Sequence, residues 1–137
     1  MGYDLLDHTG DIGIKVRADN VKGIFQEAAR ALFDIITDLA KIEVHLDWEI
    51  AVEGSGLEEL MVAWLTELLY LHEVEEVLFC DFTLWEIDER SVRGVARGEK
   101  FDAGRHVIKT AVKAITYHQL EIQEKDGRWY AQIIFDV

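Results

Sequence analysis

The sequence predicts an α+β fold in which two amphipathic helices pack on a mixed, largely antiparallel β-sheet. Two segments carry apolar residues at the spacing of one helical face, and alternation with a period of two marks strands around them. The 137 residues include no proline and no Ser/Gly-rich linker. We therefore expect a single domain that covers residues 1–137.

The first helix is the most regular element that the pattern predicts. Gly2–Asp7 and Ile12–Ala18 precede it as two short strands, and Asn20 can cap its first turn. Nine apolar residues share one face of the helix: Val21, Ile24, Phe25, Ala28, Ala29, Leu32, Phe33, Ile36 and Leu39.

The second helix follows a strand predicted over Val44–Val52. Ser55 and Glu58 have the spacing of a capping box, which predicts that the helix begins just after Ser55. Its buried face comprises Leu57, Leu60, Met61, Trp64, Leu65, Leu68 and Leu69. The periodicity ends near His72–Val74.

The last third of the chain reads as strands. Phe79–Ile87 and Val92–Lys100 form one predicted hairpin, and Ala111–Tyr117 is a further strand. Gln119–Glu124 and Arg128–Phe135 form a second hairpin, because the Asp-Gly pair at 126–127 is a strong turn sequence.

Charge and composition exclude several classes of protein. The net charge of -13 disfavours binding to a nucleic-acid phosphate backbone, so no DNA partner is expected. No apolar run reaches the roughly 20 residues that span a bilayer, and no signal peptide is visible. Cys80 is the single cysteine and is expected to be buried and inert. We expect a cytoplasmic protein with no membrane partner.

The charges are unevenly distributed along the chain. No Lys or Arg lies between Ile42 and Glu89, whereas seven of the nine charged residues in 90–113 are basic. Two interpretations stay open: solvated faces of opposite sign that balance each other, or an acidic docking surface for a partner with a basic face.

Oxygen-rich groups lie at both ends of the chain. Asp11 falls in a short loop between Gly10 and Gly13, while Asp136 and Val137 follow the apolar strand that ends the sequence. If the fold brings the two ends together, the two carboxylates and a terminal oxygen of Val137 form a site for a hard cation such as Ca²⁺, Mg²⁺ or Mn²⁺. The alternative is a turn aspartate that hydrogen-bonds its own backbone.

Two histidines are candidates to support such a site. His8 lies beside the loop that contains Asp11. It could be a ligand or a general base, or it could fix the loop by a hydrogen bond. His106 follows Arg105 and could meet an anion, although a structural role is also open. Glu99 and Asp102 lie around an apparent turn, where a solvated position is expected and one half of a carboxylate pair is the alternative. Nothing indicates that Thr9 is an activated nucleophile, so no hydrolytic triad is predicted.

An ordered set of motifs along the whole chain resembles the archease family. The segments are Asp7-His8-Thr9-Gly10-Asp11-Ile12-Gly13, Glu58-Glu59-Leu60, Trp64-Leu65, residues 67–71, Gly98-Glu99, Asp102, Arg105-His106, residues 112–118 and Ile134-Phe135-Asp136-Val137. Gly10 departs from the alanine that is usual in the family, which leaves the proposed site undisturbed.

The resemblance implies an accessory protein of tRNA splicing rather than an enzyme. Archeases assist the GTP- and metal-dependent RNA ligase that joins tRNA exon halves, by promoting its guanylylation and multiple turnover. The resemblance also implies two interlocked strand–helix–strand–strand modules and a Ca²⁺ site formed by Asp11, Asp136 and Val137. The protein would interact with tRNA only indirectly, through the ligase. Two alternatives remain: a metal-dependent hydrolase of a small phosphorylated substrate, and a chaperone-like interaction module with a structural metal.

Overall fold

The computed structural model describes residues 1–8 and 10–137, with side chains described outside residues 7–9. The described part contains seven strands, two α-helices and a short 3-10 helix at Leu39–Lys41. Their bounds in chain order are β1 Gly2–His8, β2 Asp11–Ala18, α1 Val21–Ile36, β3 Leu46–Glu53, α2 Leu57–Glu75, β4 Val77–Ile87, β5 Ser91–Lys100, β6 Ala114–Lys125 and β7 Arg128–Asp136.

The strands form two sheets rather than one. A four-stranded sheet has the order β1-β2-β7-β6, and a three-stranded sheet has the order β3-β5-β4. Every strand pair in the described residues is antiparallel. The predicted α+β class, with two helices on antiparallel sheets, is confirmed.

Two modules with the same connectivity are nested in one chain. In one module, β2 is followed by α1, β6 and β7, and the strand order is β2-β7-β6. In the other, β3 is followed by α2, β4 and β5, and the order is β3-β5-β4. Each helix packs on both sheets: α1 contacts β2 and β4, and α2 contacts β3 and β6. The modules are therefore interlocked through their helices.

The two helices differ from the predicted ones at their ends. The side chain of Asn20 accepts a hydrogen bond from the Gly23 N–H at 2.8 Å, which confirms the predicted cap of α1. This helix ends at Ile36, so Leu39 lies in the 3-10 helix instead. The capping box at Ser55 is wrong: the N-cap of α2 is Gly56, whose φ of 97° favours glycine and whose N–H donates to the Glu89 carbonyl.

Two glycines on β5 allow a close approach of β4. The β4 strand has register shifts between Phe79 and Asp81 and between Leu84 and Glu86, each of which leaves one residue unpaired. Gly98 and Gly94 lie opposite these irregularities, and a Cβ on either would collide with a carbonyl oxygen of β4. The glycines therefore accommodate the bends of the neighbouring strand.

The final hairpin begins with one long strand rather than two. Ala111–Lys113 lie outside the strands, and β6 runs from Ala114 to Lys125 through an irregularity between Thr116 and Glu121. Gln119 has a φ of 52° at this point, in the left-handed region. The predicted break between the segments 111–117 and 119–124 is a bulge within a single strand.

The core lies between the helices and the two sheets. Trp64 of α2 is completely buried, and its indole N–H donates to the carbonyl of Phe25 in α1 at 3.0 Å. Phe33 of α1 packs edge-on against Phe79 of β4. Neither helix of the described chain has the length and apolar character that crossing a bilayer requires.

Candidate metal centre

The pairing of β2 with β7 brings the two ends of the chain together. Asp11 lies directly opposite Asp136 in this antiparallel ladder. Directly opposed residues share one face of a sheet, with Cβ atoms about 5 Å apart. The two aspartates that the sequence singled out are therefore neighbours.

Strand alternation decides where these carboxylates lie. Ile14 and Val16 of β2 are buried against the helices, and so are their partners Ile133 and Ala131 on β7. Asp11 has the opposite parity, so it falls on the outer face of the four-stranded sheet together with Asp136.

The end of β7 is held on both sides. Asp136 pairs with Asp11 on one side and with Ala114 of β6 on the other. Its carbonyl also accepts the Lys113 N–H at 2.7 Å. The side chain of Val137 packs against the core. The backbone that carries the second carboxylate is therefore fixed.

One oxygen of Asp11 is buried and has no hydrogen-bond partner among the described residues. Its Oδ1 is inaccessible to solvent and receives no hydrogen bond from any described group. Burying a carboxylate oxygen in this way is costly, and opposed like charges on neighbouring strands are also destabilising. A cation between the two carboxylates would relieve both costs.

The chemistry of the donors fits a hard cation. Carboxylate and backbone oxygens are the ligands of Ca²⁺, Mg²⁺ and Mn²⁺. Within the described residues, no group of three or more His, Cys, Asp and Glu side chains is placed to hold a metal. In a site of this kind, Asp11 and Asp136 would supply two side-chain ligands, and an oxygen of Val137 would have to supply the next.

The structure places the two candidate supporting histidines, His8 and His106, in different parts of the fold. The backbone register pairs His8 with Asp11, but the His8 side chain lies outside the described residues. His106 is completely buried in another cluster: its Nδ1 accepts the Asp102 N–H at 2.9 Å, and its Nε2 lies 3.0 Å from Glu99 Oε2. Both ring nitrogens of His106 are therefore used in the cluster with Asp102 and Glu99, and this histidine does not support the site of Asp11 and Asp136.

The sequence-based interpretation missed the cluster around Glu99. This residue is 5% exposed, which contradicts the expectation of a solvated turn. It accepts hydrogen bonds from both terminal nitrogens of Arg105 and from the Glu43 N–H. The Arg105 bonds, with those from Glu43 and His106, hold the pKa of Glu99 down at about 2.

Glu99 in turn keeps the pKa of Arg105 raised. The guanidinium also contacts Glu43 Oε2 at 2.9 Å and the Lys41 carbonyl at 3.2 Å. Acceptors from three residues in two segments of the chain, 41–43 and Glu99, therefore converge on one cationic side chain. The acidic residue at the end of β5, followed six residues later by an Arg-His pair, was the available sequence indication of this ion cluster.

Comparisons with known proteins agree over the whole chain. Residues 3–137 match the model of the Archease protein family (MTH1598/TM1083). The chain is 43% identical to protein archease of Methanopyrus kandleri, with 100% of both chains covered. It is 45% identical to protein archease of Pyrococcus furiosus, with 98% of each covered.

Solved structures show the same architecture. The solution structure of protein 1598 of Methanobacterium thermoautotrophicum has a TM-score of 0.83 at 30% identity, covering 99% of each chain. The crystal structure of an archease of Thermotoga maritima, described as a possible chaperone, has a TM-score of 0.68 at 16% identity. It covers 96% of this chain and 94% of its own, and it supports the fold alone. By its sequence, throughout its length, the chain belongs to the archease family.

Proposed function

We propose that this protein is an accessory factor of tRNA splicing that activates the GTP- and metal-dependent RNA ligase. It would promote guanylylation and multiple turnover of the ligase through a cation held by Asp11, Asp136 and Val137, without being an enzyme itself. Family membership supports the role. The observation that carries the site is the pairing of Asp11 with Asp136 around a buried oxygen that lacks a described donor.

The residues of this chain would bind and orient the cation. Asp11 and Asp136 supply two carboxylates from neighbouring strands, and the fixed end of β7 presents the oxygens of Val137 beside them. Ca²⁺ is the cation that the family resemblance implies, and Mg²⁺ and Mn²⁺ are the alternatives in the cell. A bound dication would offer its remaining coordination positions to oxygen groups of the ligase.

The charge of the chain agrees with a protein partner of this kind. An RNA ligase carries basic surface where it binds RNA, and a chain of net charge -13 is electrostatically complementary to it. The same charge disfavours a direct contact with tRNA, so we place tRNA on the ligase alone. Both proteins would meet in the cytoplasm.

A turnover assay of the cognate ligase tests the proposal. Wild-type protein is expected to restore multiple turnover, whereas Asp11→Asn and Asp136→Asn should lose most of this stimulation in Mg²⁺, Mn²⁺ and Ca²⁺ alike. Asp126→Asn is the matched control, because Asp126 is an exposed turn residue on the same sheet. If Asp11→Asn stimulates the ligase as well as the control does, cation-dependent activation is refuted.

A chaperone-like interaction module with a structural metal is the second candidate. It is favoured by the description of the Thermotoga maritima archease as a possible chaperone. In that case cations would raise the melting temperature, but the Asp11 and Asp136 variants would still stimulate the ligase. Thermal unfolding with and without Ca²⁺, run beside the turnover assay, separates the two roles.

A further inference from the structure

We propose that the connecting segment 101–113 positions the cation site, and that Thr37 is the positioning residue that holds the middle of this segment. The inference rests on the proposed function, because it concerns the cation site of that proposal, and it adds the element that fixes the geometry of the site. The segment connects β5 to β6 and contains no helix or strand. Its conformation therefore depends on the individual contacts that it makes with the rest of the fold.

The segment ends on the candidate metal centre. The N–H of Lys113, its last residue, donates to the carbonyl of Asp136 at 2.7 Å. That carbonyl belongs to the planar peptide group between Asp136 and Val137, so the hydrogen bond sets the orientation of this peptide. Asp136 lies opposite Asp11, and Val137 carries the third proposed ligand. The position of Lys113 therefore affects two of the three residues that would bind the cation.

Thr37 holds the middle of the segment. It is completely buried at the C-cap of α1, and its hydroxyl donates to the carbonyl of Val107 at 2.6 Å. Further along the segment, the N–H of Lys109 donates to the carbonyl of Ile36 at 2.7 Å. The side chain of Val107 is 73% exposed, so packing contributes little at this point. The two hydrogen bonds to the end of α1 therefore fix the backbone here.

The start of the segment is held by the cluster around Glu99. The His106 ring is completely buried, and its Nδ1 accepts the Asp102 N–H at 2.9 Å. An acceptor at Nδ1 places the proton of the neutral ring on Nε2, which lies 3.0 Å from Glu99 Oε2 and therefore donates to it. These contacts do not involve Thr37. A substitution of Thr37 thus loosens the middle of the segment while its start stays fixed.

Loss of the Thr37 hydrogen bond would free the part of the segment that leads to the cation site. The Lys109 hydrogen bond and the buried side chain of Val112 would keep this part folded, but over a wider range of positions. Ligands that are not held in one arrangement must be ordered when the cation binds, which weakens affinity. Because coupling between two sites is reciprocal, a bound cation must in turn hold the segment more firmly.

Replacement of the Thr37 hydroxyl tests this coupling. Thr37→Val has nearly the same shape without the donor, and its dissociation constant for Mn²⁺ is expected to rise at least about fivefold. Thr37→Ser keeps the hydroxyl and should bind Mn²⁺ with the wild-type affinity. Ile50→Val removes a buried carbon atom from β3, in the other sheet, and is the control for a general loss of stability. Mn²⁺ binding is measured by EPR titration well below the melting temperature of each variant, so that folded proteins are compared.

Amide hydrogen exchange of the wild-type protein supplies a second test. Ca²⁺ should slow the exchange of the Lys109 and Lys113 amides, whose hydrogen bonds hold the segment, in conditions where exchange proceeds by local opening. The Gly56 amide, which donates to the Glu89 carbonyl in the other module, is the control and should be unaffected. A segment that is not coupled to the cation site would show no change at Lys109. This measurement decides the proposal even if Thr37→Val does not fold.

The outcomes separate the positioning role from the proposed function. Weaker Mn²⁺ binding in Thr37→Val than in Thr37→Ser and Ile50→Val, with slower exchange at Lys109, supports the positioning role. Wild-type Mn²⁺ affinity in Thr37→Val, equal weakening in either of the other two variants, or unchanged exchange at Lys109 overturns it and leaves the proposed function standing. If wild-type protein binds no Mn²⁺, or if Asp11→Asn binds it as tightly as wild type does, the proposed cation site fails and the inference fails with it.

Discussion

Glu99 accepts a hydrogen bond from each terminal guanidinium nitrogen of Arg105, at 2.8 and 2.9 Å. The pair joins the end of β5 to the connecting segment 101–113, and Glu99 also accepts a hydrogen bond from the Glu43 N–H. Because Glu99 is almost completely buried, its charge depends on these donors. The pair is thus central to how the loops at this end of the three-stranded sheet are held.

Glu99→Gln should lower the free energy of unfolding by about 3 kcal/mol at pH 7, since it leaves Arg105 and the buried His106 without their anionic acceptor. The folded pKa of Glu99, about 2, lies below the ordinary value near 4.3. Its contribution is therefore present above about pH 4 and is lost as the pH falls toward 2. Urea unfolding between pH 7 and pH 2 should show a shallower acid decline in Glu99→Gln than in wild type. Glu49→Gln, an exposed control, should keep the wild-type decline.

Tyr3 should remain protonated at a pH where most tyrosines ionise. Burial and the hydrogen bond that its hydroxyl donates to Asp34 raise the pKa of Tyr3 to about 12. The folded state keeps a proton that the unfolded state loses near pH 10, so stability falls as the pH rises from about 10 to 12. Tyr3→Phe should flatten this decline, as measured by unfolding at pH 9 to 12. An unchanged slope in Tyr3→Phe would contradict the assignment.

Gly98→Ala should be severely destabilising. The new Cβ would collide with the Leu78 carbonyl, a backbone atom that cannot move without disturbing the β4–β5 ladder. We expect a loss of at least about 3 kcal/mol in the free energy of unfolding. Gly104→Ala is the control, because its Cβ would come only within 3.3 Å of the flexible Asp102 carboxylate. Its loss should stay below about 1 kcal/mol in the same denaturant titration.

Asp136→Asn should stabilise the cation-free protein by roughly 0.5 to 1 kcal/mol, because it removes a like charge directly opposite Asp11. Ca²⁺ at a hundredfold excess over its dissociation constant should stabilise wild type by about 2.7 kcal/mol and the variant far less. Calorimetry with added Ca²⁺ or EDTA measures both effects. If Asp136→Asn is less stable than wild type without Ca²⁺ and is stabilised by Ca²⁺ as much as wild type is, a site shared by Asp11 and Asp136 is ruled out.

The fold was predictable where one pattern dominated a segment. The first helix repeats apolar residues over four turns, and its Asn20 cap appears as expected. The sequence raised the opposition of Asp11 and Asp136 only as a condition, because an apolar strand at each end of the chain needs a neighbour in a sheet but need not pair with the other. The register of β2 on β7 meets that condition.

Long-range contacts decided the features that sequence reasoning missed. Ser55 has the residue type of an N-cap, but the bond from Gly56 to Glu89 sets the start of the helix one residue later. Glu99 looked solvated because the Arg105 and Glu43 groups that pair with it lie in other segments. The division into two sheets depends on which strands pair with each other, and the local periodicity of the sequence does not predict that pairing.

The nested connectivity has a consequence for folding. The inner module, β3 to β5, is contiguous in the chain, so it can assemble while the polypeptide is still being synthesised. β7 follows every other strand but occupies an interior place between β2 and β6. Before β7 is in place, β2 of the β1–β2 hairpin has an unpaired edge, which could pair with strands of other nascent chains. The candidate cation site and the four-stranded sheet therefore both require β7, the last strand of the chain, to be in place.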